Sequence, residues 1–258
     1  MIYMREEQVH PVSAVNLSIG FPGEMLLENV SFDVYSGEIF VILGGSGSGK
    51  STLLKHIIGL YTPLSGKIFI HGQDLTTAGQ DEKTSILNRI GISYQSGALF
   101  GSMTLLENIR LPLEEFTNMP MEAMNLVSRL KLFQVGLEGY EMRMPSELSG
   151  GMQKRAAIAR AMALDPSILF MDEPSAGLDP LTSLELDELI LDIARSLKIT
   201  FVIVTHELAS IFNIADRMII LDKKRKRIAA QGNPVELSTS SPDPWVRSFL
   251  NREKNVGN

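Results

Sequence analysis

The stretch "IFVILGGSGSGKST", Ile39 to Thr52, decides the fold. It opens with an apolar run of strand length, and the glycine-rich segment that follows matches the phosphate-binding pattern G-x-x-x-x-G-K-[ST]. In that pattern a loop after a buried strand surrounds phosphate oxygens with backbone N–H groups, and a helix begins at the lysine. The stretch therefore predicts a site for nucleotide phosphates, with Lys50 directed at the β- and γ-phosphates and Ser51 at Mg²⁺.

Outward from this loop, strand-like runs alternate with helical patterns. Strands are expected within 12–43 and at 68–70, 90–95, 167–173 and 200–206, and a hairpin from "RMIILD" and "RIAAQG". Helices are expected at 50–58, across 105–164, at 181–197 and at 207–215. This order predicts an α/β fold with a mainly parallel sheet. The long helical stretch looks inserted, because strands resume after it.

Composition excludes several classes of protein. The 258 residues fit one large domain or two small ones, and the net charge of −6 argues against a dedicated nucleic-acid binder. There is no cysteine, so disulfides and thiolate metal sites are excluded. The N-terminus lacks the apolar core of a signal peptide, and no apolar run approaches the roughly 18–20 residues that cross a bilayer. Any role at a membrane must therefore come through a partner.

Polar residues follow three of the predicted strands. "ILFMDE" ends in Asp172 and Glu173, "FVIVTH" ends in His206, and "GISYQ" ends in Gln95. Since parallel sheets place ligands at the carboxyl ends of their strands, Asp172 would orient Mg²⁺ or its water, and Glu173 would accept a proton from an attacking water. A lone histidine at a strand end is more often structural, but a strand beside the P-loop strand would let His206 face the γ-phosphate.

A second glycine-rich helix start occurs in "PSELSGGMQKR", Pro145 to Arg155. Gly150 and Gly151 occupy the first turn of an otherwise good helix, where each glycine costs roughly 0.5–1 kcal/mol relative to alanine. This cost indicates that something approaches the backbone closely. The P-loop already fills one side of a γ-phosphate, so Ser149 and the two glycines are expected to bind nucleotide held by another copy of the chain.

Together these motifs resemble the ATP-binding subunits of ABC transporters over nearly the whole chain. "GGSGSGKST" is similar to the Walker A motif, Gln95 to the Q-loop glutamine, "LSGGM" to the signature, "ILFMDEP" to Walker B, "SAGLD" to the D-loop and His206 to the switch histidine. Met152 stands where that family most often has glutamine. The resemblance implies a single ABC-type domain over 1–258, with a RecA-like core, an antiparallel β subdomain, a helical subdomain at about 96–164 and a C-terminal tail from about 234.

The resemblance also implies the residues of the site. Glu173, His206 and Gln95 would be catalytic, and Mg²⁺ would be held by Ser51, Gln95 and Asp172. ATP would be bound by Phe21, Gly44, Gly45, Ser46, Gly47, Ser48, Gly49, Lys50, Ser51, Thr52, Ser149, Gly150, Gly151 and Asp179. Phe21 would stack on adenine in place of the usual tyrosine, and ordinary aromatic packing is the alternative for it.

A narrower resemblance lies outside the ATP site. "SYQSGALFGSMTLLENI" and "SPDPWVRSFL" are similar to the ATPases of Mla-type, Mce-associated lipid transporters. This implies that the small and apolar segment 96–100 receives a coupling helix of an integral-membrane permease; loop packing on the helical insert is the alternative. The implied protein is a homodimer, peripheral on the cytoplasmic face of the inner membrane, that powers movement of phospholipid or another hydrophobic cargo. Further accessory subunits and the direction of transport stay open.

Three other functions compete with this interpretation. The ATPase of a small-solute importer is one, a soluble ABC ATPase of DNA repair or translation is another, and a regulatory nucleotide-binding module is the third. Long coiled coils, zinc cysteines and a second cassette are missing from the sequence, and the presence of Glu173 and His206 argues against a module without turnover. The basic run Lys223 to Arg227 is expected to be a solvated hairpin tip, or a contact to anionic lipid or a partner.

Overall fold

The structure is a computed structural model that describes residues 9–252. Its strands are β1 (Val12–Phe21), β2 (Glu24–Val34), β3 (Ile39–Gly44), β4 (Ser65–Ile70), β5 (Gln73–Asp74), β6 (Ile90–Ser93), β7 (Ile168–Asp172), β8 (Thr200–Thr205), β9 (Arg217–Asp222) and β10 (Arg227–Gly232). Its helices are α1 (Lys50–Ile57), α2 (Gln80–Leu87), α3 (Leu105–Phe116), α4 (Met121–Gln134), α5 (Gly150–Ala161), α6 (Pro180–Leu197), α7 (Leu208–Ile214), α8 (Pro234–Ser240) and α9 (Pro244–Leu250).

A six-stranded sheet forms the centre of the molecule, in the order β10-β9-β3-β8-β7-β6. Five of its strands run parallel, and only β10 is antiparallel, in the hairpin that the sequence predicts with β9. The apolar run of β3 is buried at every position, because β3 lies between β8 and β9 and both faces of the sheet are covered. The α/β prediction with a mainly parallel sheet is confirmed.

Alternation along β3 divides the core between the two faces of this sheet. Val41 and Leu43 pack into a cluster with the helices α3 to α7. Phe40 and Ile42 point the other way, into a cluster shared with α1 and with the second sheet. That second sheet is antiparallel, in the order β2-β1-β4-β5, as expected for an N-terminal β subdomain.

The helical insert lies between β6 and β7 and consists of α3, α4, a 3-10 turn at Pro145–Glu147, and α5. Pro120 and Pro145 mark helix boundaries, as the sequence predicts. The last helix of the insert rests directly on the sheet: a Cβ on Gly91 in β6 would overlap the carbonyl oxygen of Ala161 in α5. Only glycine at position 91 allows the helix this close.

Two parts of the chain differ from the sequence-based expectation. Helix α2 was not expected, because "QDEKTSIL" has no apolar stripe and buries only Ile86. The region from Pro234 is expected to be a tail, yet it contains α8 and α9. Asn233 caps the start of α8 and Asp243 caps the start of α9, and a proline follows each cap. The N-terminal segment expected not to be a signal peptide lies partly outside the described residues, and so does the end of the predicted tail.

Among residues 9–252, no helix combines the length and the apolarity needed to cross a bilayer.

Candidate nucleotide site

Polar groups converge where four neighbouring parallel strands end. Strands β3, β8, β7 and β6 are adjacent in that order, and their carboxyl ends share one edge of the sheet. The P-loop follows β3, His206 follows β8, and Glu173 follows β7. Gln95 lies two residues beyond β6. Residues that are far apart in sequence are therefore brought to one site by strand order alone.

The P-loop wraps around the side chain of Lys50. Gly47 and Gly49 have φ angles of 72° and 92°, in the left-handed region where only glycine is free of strain. The Nζ atom of Lys50 donates to the carbonyl oxygens of Gly44 at 2.8 Å and Gly45 at 3.3 Å. Burial lowers the pKa of this lysine, and the charges of Glu173 and Asp172 oppose the shift. The loop thus holds an ammonium group at its centre.

Side chains of the loop differ in what they can offer a ligand. Gly45, Ser46 and Gly47 are exposed, so their backbone N–H groups are accessible. Ser48 is buried beneath the loop, and its Oγ atom has no hydrogen-bond partner among residues 9–252. That hydroxyl also lies where a Cβ on Gly44 would have to fit. Ser48 can therefore contact a phosphate only through its backbone.

Ser51 and Asp172 meet at the start of α1. The Oγ atom of Ser51 donates to Oδ1 of Asp172 at 3.0 Å. Burial raises the pKa of Asp172, and the hydrogen bond from Ser51 acts in the opposite direction. Hydroxyl and carboxylate oxygens are ligands that Mg²⁺ accepts, and a cation here would offset the cost of the buried charge.

The donor set at this position fits magnesium held mainly by substrate. Within residues 9–252 there is no group of three or more His, Cys, Asp or Glu side chains that could hold a metal ion. Mg²⁺ is commonly bound through one or two protein ligands, with phosphate oxygens and water completing its shell. Ser51 and Asp172 supply such a pair, and Gln95 lines the same cavity as Asp172.

Glu173 is held in a strained backbone conformation at the end of β7. Its φ angle is 48°, and left-handed backbone costs a non-glycine residue roughly 1–2 kcal/mol. Its N–H donates to the carbonyl of Val204 at 2.8 Å, while Oε1 and Oε2 lie 2.8 and 2.9 Å from Nδ1 of His206. The Glu173 side chain is 10% exposed. Such a buried carboxylate, oriented by an imidazole, can act as a general base.

A cavity of about 570 Å³ opens between the core and the helical insert. Gln95, Asp172 and Gly150 line it, together with three residues that the sequence did not single out: Lys55, Tyr94 and Lys154. The ammonium of Lys154 donates to the carbonyl of Gln95, and burial lowers the pKa of Lys154. Lys154 lies one helical turn after Gly150, so its position on the face of α5 was the available signal.

The second glycine-rich helix start serves two purposes. Ser149 caps α5, since its Oγ atom accepts from the N–H of Met152 at 3.3 Å. A Cβ on Gly151 would lie 2.5 Å from Cγ2 of Thr182, so this glycine is required by packing against α6 within the chain. Ser149 and Gly150 are exposed. Of the two glycines, only Gly150 is left for a close approach by a ligand.

Three further residues that the sequence predicts for ATP binding have contacts of their own. Asp179 caps α6, with Oδ1 accepting from the N–H groups of Leu181 and Thr182, each at 3.1 Å. Phe21 ends β1, where its ring is 46% exposed and meets Tyr61 edge-to-face at a centroid distance of 6.1 Å. Thr52 is half-buried in the first turn of α1. An exposed ring at Phe21 leaves a face open for stacking.

The backbone of the segment after Gln95 is held by hydrogen bonds from two side chains, and part of the segment is exposed to solvent. Arg160 donates to the carbonyls of Gly97 at 3.1 Å and Ala98 at 2.7 Å. Fully buried Asn108 accepts from the N–H of Phe100 at 2.7 Å and donates to its carbonyl at 3.1 Å. Leu99 packs partly against the core, whereas Phe100 is 50% exposed. The Phe100 ring centroid also lies 5.8 Å from the guanidinium carbon of Arg160 in α5, so the ring meets both the helical insert and solvent.

A lysine held in a glycine-rich loop, with a hydroxyl and carboxylates at the neighbouring strand ends, defines a P-loop nucleoside triphosphatase. The ABC transporter family model matches residues 27–176, which is more than half of the chain. The chain belongs to the ABC transporter family and is an ATP-binding, ATP-hydrolysing subunit of such a transporter.

Similar proteins extend over almost the whole chain. The intermembrane phospholipid transport system ATP-binding protein MlaF of Escherichia coli K12 is 38% identical over 96% of this chain and 91% of its own length. The probable ribonucleotide transport ATP-binding protein mkl of Mycobacterium leprae is 41% identical over 93% of this chain and 68% of its own length. In the mkl proteins of two other mycobacteria, the match covers 65% of their length.

Solved structures show the same fold. The dimeric structure of MJ0796, a bacterial ABC transporter cassette, has a TM-score of 0.77 and 31% identity, over 86% of this chain and 98% of its own. A post-hydrolysis state of that cassette, bound to ADP and Pi, has a TM-score of 0.75. The predicted fold class, an ABC-type nucleotide-binding domain, is confirmed.

Proposed function

We propose that this chain binds MgATP at the described strand ends and hydrolyses it between two copies, to power movement of phospholipid by a membrane permease. The main support for hydrolysis is the pair Glu173 and His206, whose Oε1 and Nδ1 atoms are 2.8 Å apart. The pair lies at the edge of the sheet that also holds Lys50. The assignment of phospholipid as the cargo rests on similarity to MlaF.

Each group at the site has a chemical task in this proposal. The P-loop backbone and Lys50 bind the β- and γ-phosphates, and Ser51, Asp172 and Gln95 hold Mg²⁺, which neutralises charge on the phosphates. Glu173 accepts the proton of the attacking water. His206 holds the carboxylate of Glu173 through its Nδ1 atom. The rest of its ring is accessible from solvent, since the side chain is 57% exposed.

The signature residues act on the nucleotide of the other copy. Ser149 and Gly150 are exposed, and Ser149 borders a separate cavity of about 280 Å³ with Gly151 and Thr182. The P-loop residues line neither that cavity nor the one that Gly150 borders. A relative with this fold is a dimer in its solved structure. Two copies facing each other would bring Ser149 of each to the P-loop of its partner.

Phospholipid is favoured as cargo over ribonucleotide. The name of MlaF refers to phospholipid and that of mkl to ribonucleotide, and the identities of 38% and 41% do not separate them. The segments "SYQSGALFGSMTLLENI" and "SPDPWVRSFL", which resemble the ATPases of Mla-type lipid transporters, support phospholipid. A small-solute importer ATPase is the second candidate, which the same experiment distinguishes.

The partner is an integral-membrane permease that holds this chain on the cytoplasmic face of the membrane. Segment 96–100 is its docking site, because the segment follows Gln95 directly and presents Phe100 to solvent. A shift of Gln95 on ATP binding would move this segment through the chain itself. The predicted helical subdomain at about 96–164 would then turn with it.

Purification of the tagged chain from its native membrane tests the proposal. We expect a polytopic permease and phospholipid to co-purify, and the complex in phospholipid vesicles to move labelled lipid only with ATP. The Glu173→Gln complex is the matched control that assembles without turnover. ATP-driven uptake of a small polar solute, with no lipid movement, would establish the importer instead.

A further inference from the structure

Lys223 lies beside the P-loop. It follows β9, which pairs in parallel with β3 on the side opposite β8, so that Gly44 is in register with Leu221. The two strands end at the same edge, and the residue after β9 therefore emerges next to the loop after β3. A Cβ built on Gly47 would lie 2.9 Å from Nζ of Lys223. The ammonium group thus rests against the exposed tip of the loop.

The hairpin that carries Lys223 is fixed at several points. The Oδ1 atom of Asp222 accepts from the N–H groups of Lys224 at 2.7 Å and Arg225 at 3.1 Å. Arg225 forms ion pairs with Asp222 at 3.3 Å and with Asp243, the N-cap of α9, at 2.5 Å. These contacts fix the backbone on both sides of Lys223 and so set the direction in which its side chain leaves the turn.

The basic side chains Arg225 and Lys223 at this hairpin tip differ in their ion pairs. Arg225 has two carboxylate partners, whereas no carboxylate in the described part of the chain forms an ion pair with Lys223. Lys50 lies inside the loop, and Lys223 lies against its outer side. The loop is therefore flanked by two ammonium groups, and only the inner one belongs to the sequence motif.

We propose that Lys223 is a second phosphate-directed lysine, which strengthens binding of ATP at the outer side of the P-loop. This inference rests on the proposed placement of the nucleotide phosphates within that loop. A cation at the border of a polyanion site acts through a partly screened Coulomb attraction. Because Lys223 is exposed, its removal should weaken binding by roughly three- to tenfold rather than abolish it.

Equilibrium titration with MgATP in the Glu173→Gln background tests the role without turnover. We expect Lys223→Ala to raise the Kd by about three- to tenfold, with the effect shrinking in roughly 0.5 M salt, and Lys223→Arg to retain affinity. The matched control is Lys224→Ala, one residue along the same exposed turn. Asp243→Asn, which removes the charge that anchors Arg225, should weaken binding by a smaller factor. Melting temperatures of the variants establish that they are folded.

The outcomes separate this inference from the proposed function. Equal Kd values for Lys223→Ala and Lys224→Ala, whether both normal or both weakened, would overturn a specific role for Lys223. Loss of binding in Lys50→Ala with normal binding in Lys223→Ala rejects the second lysine alone. Normal binding in Lys50→Ala would mean that the phosphates lie elsewhere, and both proposals would fail.

Discussion

At the scale of single residues, the contact between Glu173 and His206 explains how a carboxylate is aimed. The strained φ of 48° turns Glu173 out of β7, and the imidazole of His206, just after β8, holds its oxygen atoms. The conformational cost is tolerated because β7 is paired in parallel with β8 along its whole length. Chemistry and packing therefore depend on the same two strands.

We expect Glu173→Gln to keep ATP binding and to lower turnover by at least about 10²-fold, because the amide cannot accept the proton of water. It should also accumulate an ATP-bound dimer. Steady-state phosphate release and size-exclusion chromatography with MgATP measure the two effects. Hydrolysis close to that of the unaltered protein would show that Glu173 is not the base.

Asp172 makes a prediction about stability and pH. Burial raises the pKa of this carboxyl in the folded chain, so its charge opposes folding at pH values above that pKa. The penalty disappears as pH falls through the folded pKa, because the folded state then takes up the proton more readily. Asp172→Asn should therefore melt a few degrees higher than the unaltered protein at neutral pH, without nucleotide or Mg²⁺, and the difference should vanish in acid.

Asp179→Asn is the control with the opposite sign. Hydrogen bonds from Thr182 lower the pKa of Asp179, so its charge favours folding above the unfolded pKa, and that contribution is lost as pH falls through the folded pKa. This substitution should lower the melting temperature at neutral pH. Thermal melts across the acid range would contradict the argument if both substitutions shifted stability in the same direction.

At the scale of elements, the segment 96–100 joins the nucleotide site to the outer surface. Arg160 and Asn108 hold its backbone from two different helices, so α3, α5 and the segment form one unit. Contact between Gly91 and α5 attaches that unit to β6, directly before Gln95. In the proposed mechanism, a displacement at Gln95 would therefore move a group of helices rather than a loop alone.

Phe100→Asp should abolish recruitment to membranes and leave ATP binding by the isolated chain unchanged. A charge placed in an apolar contact costs several kcal/mol unless the contact opens to water, whereas the half-exposed ring contributes little to the core. Leu60→Asp, an exposed leucine in the loop after α1, is the control. A membrane pull-down and a nucleotide titration distinguish the possibilities. Normal recruitment would place the docking surface elsewhere, and lost ATP binding would identify Phe100 as a packing residue.

The sequence predicted elements wherever a pattern was local. The P-loop, the buried strands and the β9–β10 hairpin have strong signals in neighbouring residues, and they were located correctly. Helix α2 has no apolar stripe, so its existence depends on tertiary context. Packing of Gly151 on Thr182 and the approach of Lys223 to Gly47 join residues that no local pattern connects. Such contacts follow from helix packing and strand order, which one sequence does not reveal.

At the scale of the whole molecule, the proposed dimer can be tested by mixing two defective chains. A heterodimer of Lys50→Ala with Ser149→Arg has one composite site with both lesions and one with neither. We expect partial recovery of hydrolysis, relative to either homodimer, because in the proposed dimer Ser149 acts on the nucleotide of its partner. ATPase assays on the mixed chains measure this. A complex in which Ser149 contacts nucleotide bound to its own chain would disprove the arrangement.

The position of β3 also affects how the protein is made. Its two neighbours, β8 and β9, begin at Thr200 and Arg217, far behind it in order of synthesis. At roughly 5–20 residues per second, the apolar segment of β3 leaves the ribosome about 10–40 s before both neighbours exist. A nascent chain stalled before residue 200 should bind no ATP, and its exposed strand should be a target for chaperones. Nucleotide could therefore stabilise the chain only after β8 and β9 have been made, and until then protection of β3 would depend on other factors.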